Sequence, residues 1–127
     1  MGRYWLVIFA VYYSATATCN AQAGELDSTF NACGINAHTV GSTDDKIWSI
    51  DSQSDGRIVA AGLSHNGTRM IFAVSRYRPD GVLDSSFSSD GYLTDSVATG
   101  GCAYHAVAVQ PDGKIVAAGF STDTTNT

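Results

Sequence analysis

Asp112-Gly113-Lys114-Ile115-Val116-Ala117-Ala118-Gly119 is the stretch that decides the fold of this chain. The same octet stands 57 residues earlier, from Asp55 to Gly62, and differs only by Arg57 in place of Lys114. A fixed internal period is the strongest single indication of a fold, because each copy is one structural unit that stacks on the next.

The period extends well beyond the octet. The stretch Gly24–Phe30 aligns with Gly81–Phe87 at the same offset, and no gap is needed from Gly24 to the end of the second octet. Two unrelated hairpins would not keep one register over that length by chance. The sequence therefore predicts two repeat copies, at residues 24–80 and 81–127, within one repeat domain at residues 24–127.

Composition and charge restrict the class of protein. The chain has 127 residues, of which 44% are hydrophobic and 15% charged, with a net charge of −5. Abundant glycine and short apolar runs indicate an all-β protein. The negative charge, without any basic stripe, argues against nucleic acid or an anionic membrane surface as a partner.

Residues 1–23 are predicted to be a signal peptide. Arg3 supplies a positive start, Trp5–Tyr13 is an apolar segment, and Ala21-Gln22-Ala23 is a small-x-small cleavage site. The apolar segment is shorter than the ~20 residues that a membrane span needs. We therefore expect cleavage after Ala23 and export to the periplasm, the cell surface or the medium.

Two alternatives for this leader are less favoured. Lipidation at Cys19 would require a large aliphatic residue shortly before the cysteine, where the sequence has Thr16-Ala17-Thr18. A first strand of the fold would require a counterpart of residues 4–13 in the repeat, and there is none.

The repeat contains several short strands separated by turn residues. Asp55-Gly56 predicts a two-residue hairpin with a type I′ turn, since Asp-Gly tolerates positive φ. The predicted strands are Ile35–Val40 (weak), Lys46–Gln53, Ile58–Ala61, Met70–Arg78, Tyr92–Val97 and Ala103–Gln110.

Four strands at a period near 50 residues are typical of a β-propeller blade. Ile58–Ala61 is apolar without alternation, which indicates a strand that is covered on both faces. The predicted fold is all-β, with antiparallel four-stranded blades of a β-propeller. It is predicted to be present as an incomplete fragment of one whole blade and two partial ones.

Three motifs in order resemble the delta-60 repeat family. They are the octet with its preceding proline at Pro111–Gly119, the strand and turn Phe72–Gly81, and Leu83–Phe87 followed by Asp90-Gly91. The resemblance implies an exported bacterial protein with a β-propeller-like fold, and no common activity. This chain departs from the pattern at Cys33, which stands where the second copy has Asp90, so we expect a degraded turn there.

No catalytic residue, cofactor or metal site is predicted. Asp51-x-Gln53-x-Asp55-Gly56 imitates the start of an EF-hand loop, but Gly62 stands where that loop needs a bidentate glutamate. None of the histidines lies in a metal-spaced pair. His105 aligns with Trp48, which favours a packing role.

The candidate binding surface consists of loop residues. Asp44, Asp45, His65 and Arg69 fall in loops that should share one face of the blade, because alternate connections of an antiparallel meander lie on the same side. Propellers bind through loop faces or their channel. The expected partners are an unknown protein or carbohydrate ligand, and further propeller blades in the same or another chain. The plainer interpretation is that these four residues are solvated loop positions.

Two functions remain open from the sequence. One is a non-catalytic exported propeller module that acts as a binding or scaffold surface. The alternative is part of a larger propeller enzyme with its active site in the channel. Fold alone does not decide between them.

Two further expectations concern the cysteines and the folding unit. Cys33 and Cys102 are predicted to stay unpaired, because they fall at opposite ends of blades. The chain is expected to be incomplete as a folding unit and to self-associate or unfold with weak cooperativity, since stacked repeats generally need about three copies.

Overall fold

The structure, a computed structural model, describes residues 24–41, 44–97 and 99–123. The predicted signal peptide therefore lies outside the described residues. Within the described part the regular structure is entirely β, as the sequence predicts. The six strands are β1 Lys46–Ser52, β2 Ile58–His65, β3 Met70–Tyr77, β4 Tyr92–Asp95, β5 Cys102–Val109 and β6 Ile115–Ser121.

The strands form two antiparallel sheets that correspond to consecutive blades. The first blade has the order β1-β2-β3-β4, and β5 pairs with β6 as the start of the second blade. This confirms the predicted four-stranded meander. The second strand is longer than the predicted Ile58–Ala61, because pairing with β1 continues to Leu63 and pairing with β3 continues to His65.

The hairpin between β1 and β2 differs from the predicted type. The amide of Gly56 donates to the carbonyl of Gln53 at 2.9 Å, and the amide of Gln53 donates to the carbonyl of Arg57 at 2.8 Å. Gly56 is left-handed (φ 82°), whereas Asp55 is not. The turn is therefore type I followed by a left-handed glycine, and the predicted type I′ turn is wrong. The Asp55 carboxylate accepts a hydrogen bond from the Arg57 amide at 3.1 Å, which stabilises the turn.

Each blade has a β-bulge at the same position of the repeat. The bulge lies at Trp48 in β1 and at His105 in β5. It brings the carbonyl of Lys46 so close to Gly62 that a Cβ there would fall on the oxygen, and Gly119 stands in the same relation to β5. The bulge is thus the reason that the octet ends in glycine.

The core lies between the two blades. Val59, Ala61 and Val74 form a buried cluster on one face of the first blade. Side chains from Phe87, Tyr104, Val107, Val109, Ile115 and Ala117 pack against it. The small side chain of Ala61 lets the two sheets approach closely.

Side chains of β1 tie the two blades together. The amide of Val107 donates to Ser49 Oγ at 3.1 Å, and that of Val109 donates to Asp51 Oδ2 at 2.7 Å. Blades radiate from a central channel and are closest at their inner strands. These contacts therefore identify β1 and β5 as the inner strands, with β4 at the opposite edge of the first blade.

The segment 35–40 does not form the predicted strand. It aligns with β4, which is held by β3 of its own blade, and no corresponding strand lies beside 35–40 in the described part of the chain. The segment instead covers the second face of the first blade. His38 and Val40 line a cavity of about 30 Å³ there, together with Ala60 and Ser75.

The turn at Cys33 keeps the conformation of its counterpart, so the expected degradation is wrong. Left-handed φ values recur at equivalent positions, namely Asn31, Ala32 and Gly34 in the first copy and Ser88, Ser89 and Gly91 in the second. The Cys33 side chain is exposed. Cysteine in place of the aspartate that the second copy has here costs the turn none of its backbone–backbone hydrogen bonds. The amide of Gly34 still donates to the carbonyl of Phe30, as that of Gly91 does to Phe87.

Both cysteines in the described residues are free thiols. Cys33 is exposed and Cys102 is buried. This confirms the prediction that they remain unpaired within the chain.

Candidate binding surfaces

The four candidate loop residues lie at the same end of the first blade. Lys46 pairs with Leu63, and His65 pairs with Met70, so the residues before β1 and those between β2 and β3 share one end of the sheet. We call this end, which comprises residues 44–45, 65–69, 96–97, 99–101 and 122–123, the loop end. The structure thus brings the predicted residues to one end, as the meander argument requires.

Two of the four residues serve internal contacts. The Asp45 carboxylate accepts from the amide of Val40 at 2.8 Å and also from that of Gly41. Arg69 donates from Nη1 to the carbonyl of Thr99 at 3.2 Å and from Nη2 to Ser96 Oγ at 3.1 Å. These side chains therefore fix the loops in place.

Asp44 and His65 are the other two candidates at the loop end. The Asp44 side chain is exposed. The Nδ1 atom of His65 accepts from the amide of Gly67 at 3.1 Å, which orients the imidazole along the loop between β2 and β3. A hydrogen bond from Thr99 Oγ1 to Asp123 Oδ1, at 2.6 Å, joins the segment before β5 to the end of β6. The loop end is consequently a polar surface on a hydrogen-bonded frame.

A buried ionic cluster occupies the opposite end of the first blade. Asp84 Oδ2 lies 2.8 Å from Arg76 Nε and 3.1 Å from Arg57 Nε. Its Oδ1 accepts from the Ser86 hydroxyl at 2.6 Å, and the Arg76 guanidinium lies 4.9 Å from the centre of the Phe87 ring. The cluster joins the octet, the third strand and the Leu83–Phe87 motif.

The cluster lowers the pKa of its carboxyl group. The Ser86 hydroxyl and amide, together with Arg76, stabilise the charged form and lower the pKa of Asp84 from 3.8 to about 2, against the opposing effect of burial. Asp84 is therefore a charged structural residue at neutral pH. Both oxygens of the Asp84 carboxylate have partners within the chain, so the cluster stabilises the blade.

Aromatic rings pack against each other between the bulges of the two blades, in tilted and edge-on contacts. The ring centres of Trp48 and His105 are 3.9 Å apart, and His105 also meets the edge of Phe120 at 5.2 Å. The packing role expected for His105 is confirmed. These rings therefore pack β1 of the first blade against β5 of the second.

An open groove lies beside His105 on the second blade. It has a volume of about 370 Å³ and is lined by His105, Ala106, Ala118, Gly119 and Phe120. Four of these residues are apolar or aromatic, and Phe120 is exposed. The equivalent face of the first blade, around Val59, is covered by side chains of β5 and β6.

Neither a metal-ligand group nor a membrane-spanning helix is found within the described ranges. Residues 24–41, 44–97 and 99–123 contain no group of three or more metal-type side chains that could hold an ion. The same residues include no helix of the length and hydropathy that a membrane crossing requires.

Sequence reasoning missed both the ionic cluster and the aromatic groove. A signal for the first was present, since the octet position of Arg57 keeps a cation in both copies and Asp84 recurs as Asp27. Arg57 and Asp84 come together only because β3 pairs with β2, and the sequence alone does not give that pairing. The groove has no sequence signal, because it arises where no strand among the described residues covers an apolar face.

Comparison with known proteins supports the fold. Residues 53–87 and 110–127 match the profile of a family described as "Domain of unknown function (DUF5122) beta-propeller". Searches of the curated proteins and of the solved structures returned no significant match. The matched stretches contain both octets and the Leu83–Phe87 motif, so the sequence similarity and the paired blades agree on a β-propeller repeat.

Proposed function

We propose that this chain is an exported β-propeller repeat module, of the delta-60 type, that acts as a binding or scaffold surface. The observation that carries the proposal is the repeated interface between blades. One copy of the octet is buried by the next copy's strands, and the second copy presents the same face uncovered. A surface of that kind receives further blades, in the same or another chain.

Export is supported by the sequence of residues 1–23. The positive start, apolar segment and Ala21-Gln22-Ala23 site are followed directly by Gly24, the first residue that aligns with the repeat. Mass spectrometry of protein recovered from the envelope or the medium should find a chain that begins at Gly24. Exported protein that retains residues 1–23 would contradict this part of the proposal.

The ligand surface of the module is proposed to be the loop end. Support comes from its construction, since Arg69 and Asp45 brace the loops while Asp44 is exposed beside them. Loops on a rigid scaffold are the usual place for binding in β-propellers. The expected ligands are a carbohydrate or an extended peptide, whose hydroxyl or amide groups can donate to a carboxylate.

An array of oligosaccharides and extended peptides, probed with the labelled full chain, tests this surface. We expect Asp44→Ala and His65→Ala to reduce the signal at least about tenfold, which corresponds to one lost charged or well-placed hydrogen bond. Asp90→Ala, at the opposite end of the blade, is the control and should keep the signal. Binding that survives both loop-end variants, or no binding to either class of probe, would contradict the proposed ligand surface.

A further inference from the structure

The second blade leaves uncovered the face that the first blade buries. Val59 is 0% exposed and Leu63 is 8% exposed in the first blade. Their counterparts one period later, Val116 and Phe120, are 49% and 48% exposed. We call the surface formed by Val116, Ala118 and Phe120, with the groove beside His105, the back face.

The inner strand of the first blade carries the complementary surface. Ile47, Trp48 and Ile50 are 51%, 46% and 67% exposed. They stand one period before Tyr104, His105 and Val107, the β5 residues at the existing interface: Tyr104 and Val107 pack on the Val59 cluster, and His105 stacks on Trp48. We call this surface the front face. The described structure thus exposes the inner-strand part of both halves of an interface that it also shows assembled once. On the first blade, residues 35–40 cover the adjoining part of the front face on β2 and β3, where Ala60 is 3% exposed.

The assembled interface identifies what fits the groove. In the first blade the wall equivalent to the groove includes Trp48 and Leu63, and the side chain that rests on it is His105, 3.9 Å from Trp48. His105 is the bulge residue of the following blade. The side chain that fits the groove beside His105 is therefore the bulge residue of another blade, and Trp48 is an exposed residue of that type.

We propose that a second copy of this chain covers the back face, with its Trp48 in the groove beside His105 and its Ile50 against Val116. The inference rests on the proposed function, in which open faces receive further blades, and names the partner. Trp48 and His105 would then alternate along the inner strands of successive copies. The contact joins two different surfaces, so it repeats until the assembly closes.

The contact between copies differs from the one within the chain in its polar part. Ser49 and Asp51 accept amide hydrogen bonds from β5, but their counterparts on the back face are Ala106 and Ala108. No side chain at those two positions can accept from the incoming strand. Association is therefore driven by apolar burial, and we expect it to depend on concentration and to change little with salt.

Two single substitutions in the full chain test the proposal, one on each face. Ile50→Asp removes the front face and Val116→Asp removes the back face. Both side chains are largely exposed, and far-ultraviolet circular dichroism with Trp48 fluorescence checks that the fold is kept. Val82→Asp is the matched control, because Val82 is 38% exposed and lies in the loop between β3 and β4, outside the front face, the back face and the loop end.

Sedimentation velocity over a concentration series gives the result. We expect the wild type and Val82→Asp to associate, and each face variant to weaken association at least about tenfold, since a buried charge without a partner is disfavoured. A mixture of the two face variants should form a one-to-one heterodimer, because each retains one intact face. If either aspartate variant misfolds, Ile50→Ala and Val116→Ala replace the pair.

Three outcomes would overturn the proposal. They are a wild type that is monomeric throughout the series, face variants that associate like the wild type, and a mixture that gives no heterodimer. A monomeric chain that still binds the array probes at the loop end would contradict self-association alone. A chain that associates but binds no probe would contradict the ligand surface alone.

Discussion

The octets Asp55–Gly62 in β2 and Asp112–Gly119 in β6 have nearly the same sequence and very different surroundings. Val59 is completely buried, whereas Val116 is about half exposed. The first octet has a strand on each side and a blade on one face, whereas the second pairs only with β5. The comparison teaches that burial in a repeat protein is provided by the neighbouring copy, so identical residues contribute unequally to stability.

The largest difference should come from the glycine that ends each octet. A Cβ at Gly62 would fall on the carbonyl oxygen of Lys46 in the centre of a four-stranded sheet. Gly62→Ala should therefore destabilise the chain by about 3 kcal/mol, as overpacking of a core does. Gly119→Ala meets the same clash in the two-stranded sheet, which can yield, and should cost about 1 kcal/mol. Urea unfolding followed by tryptophan fluorescence measures both, and equal losses would contradict the unequal surroundings.

The matched valines give the next effect. Val59→Ala deletes two methyl groups from the buried cluster and should lower the free energy of unfolding by about 2 kcal/mol. Val116→Ala changes an exposed side chain and should lower it by less than about 0.5 kcal/mol. The same urea titration, at a concentration below association, provides the measurement. A loss at Val116 as large as that at Val59 would show that the back face is already covered within one chain.

The aspartates of the two Leu-Asp-Ser motifs extend the comparison to charge. Asp84 is buried and pairs with Arg57 and Arg76, whereas the Asp27 side chain is exposed and accepts from the amide and hydroxyl of Thr29. The folded pKa of Asp84, about 2, lies below the ordinary 3.8. Its contribution is therefore fully present above about pH 4 and is lost as the pH falls toward 2.

Asp84→Asn should consequently lower the urea midpoint at pH 7 and flatten its decline between pH 4 and pH 2. Asp27→Asn should leave the midpoint at pH 7 nearly unchanged. The measurement is a series of urea titrations at different pH values for the three proteins. An unchanged acid profile in Asp84→Asn would contradict the role of the cluster.

The smallest effect concerns the hydrogen bonds between inner strands. Ser49→Ala removes the acceptor for the amide of Val107 and should cost about 1 kcal/mol. Ala106→Ser places a hydroxyl at the equivalent position of β5, where no following strand donates in the described chain, and should leave stability unchanged. Equal effects in the urea titration would mean that Ser49 does not act between blades.

Much of the fold was predictable because the repeat is expressed in local sequence. The 57-residue period, the apolar Ile58–Ala61 strand and the alignment of His105 with Trp48 each led to a correct structural statement. Turn type was not predictable from Asp55-Gly56, because the dipeptide fits two turns and the pairing of Gln53 with Arg57 decides between them.

The remaining differences arise from partners that lie far away in the sequence. Residues 35–40 have strand-like composition, but a strand needs a neighbour, and the segment instead packs on the face of the first blade. Asp44, Asp45, His65 and Arg69 were correctly expected at one end. Asp45 and Arg69 form hydrogen bonds with backbone groups of neighbouring loops. These bonds depend on the loop conformation, which composition does not specify.

Amide hydrogen exchange of the two octets, resolved by NMR in dilute solution, tests the central comparison most directly. In β2 every amide from Val59 to Leu63 lies between two paired strands and should exchange slowly. In β6 only the amides that pair with β5 should be slow, so protection should alternate along Val116–Phe120. Uniform and equal protection in both octets would contradict the account that the second copy is an open counterpart of the first.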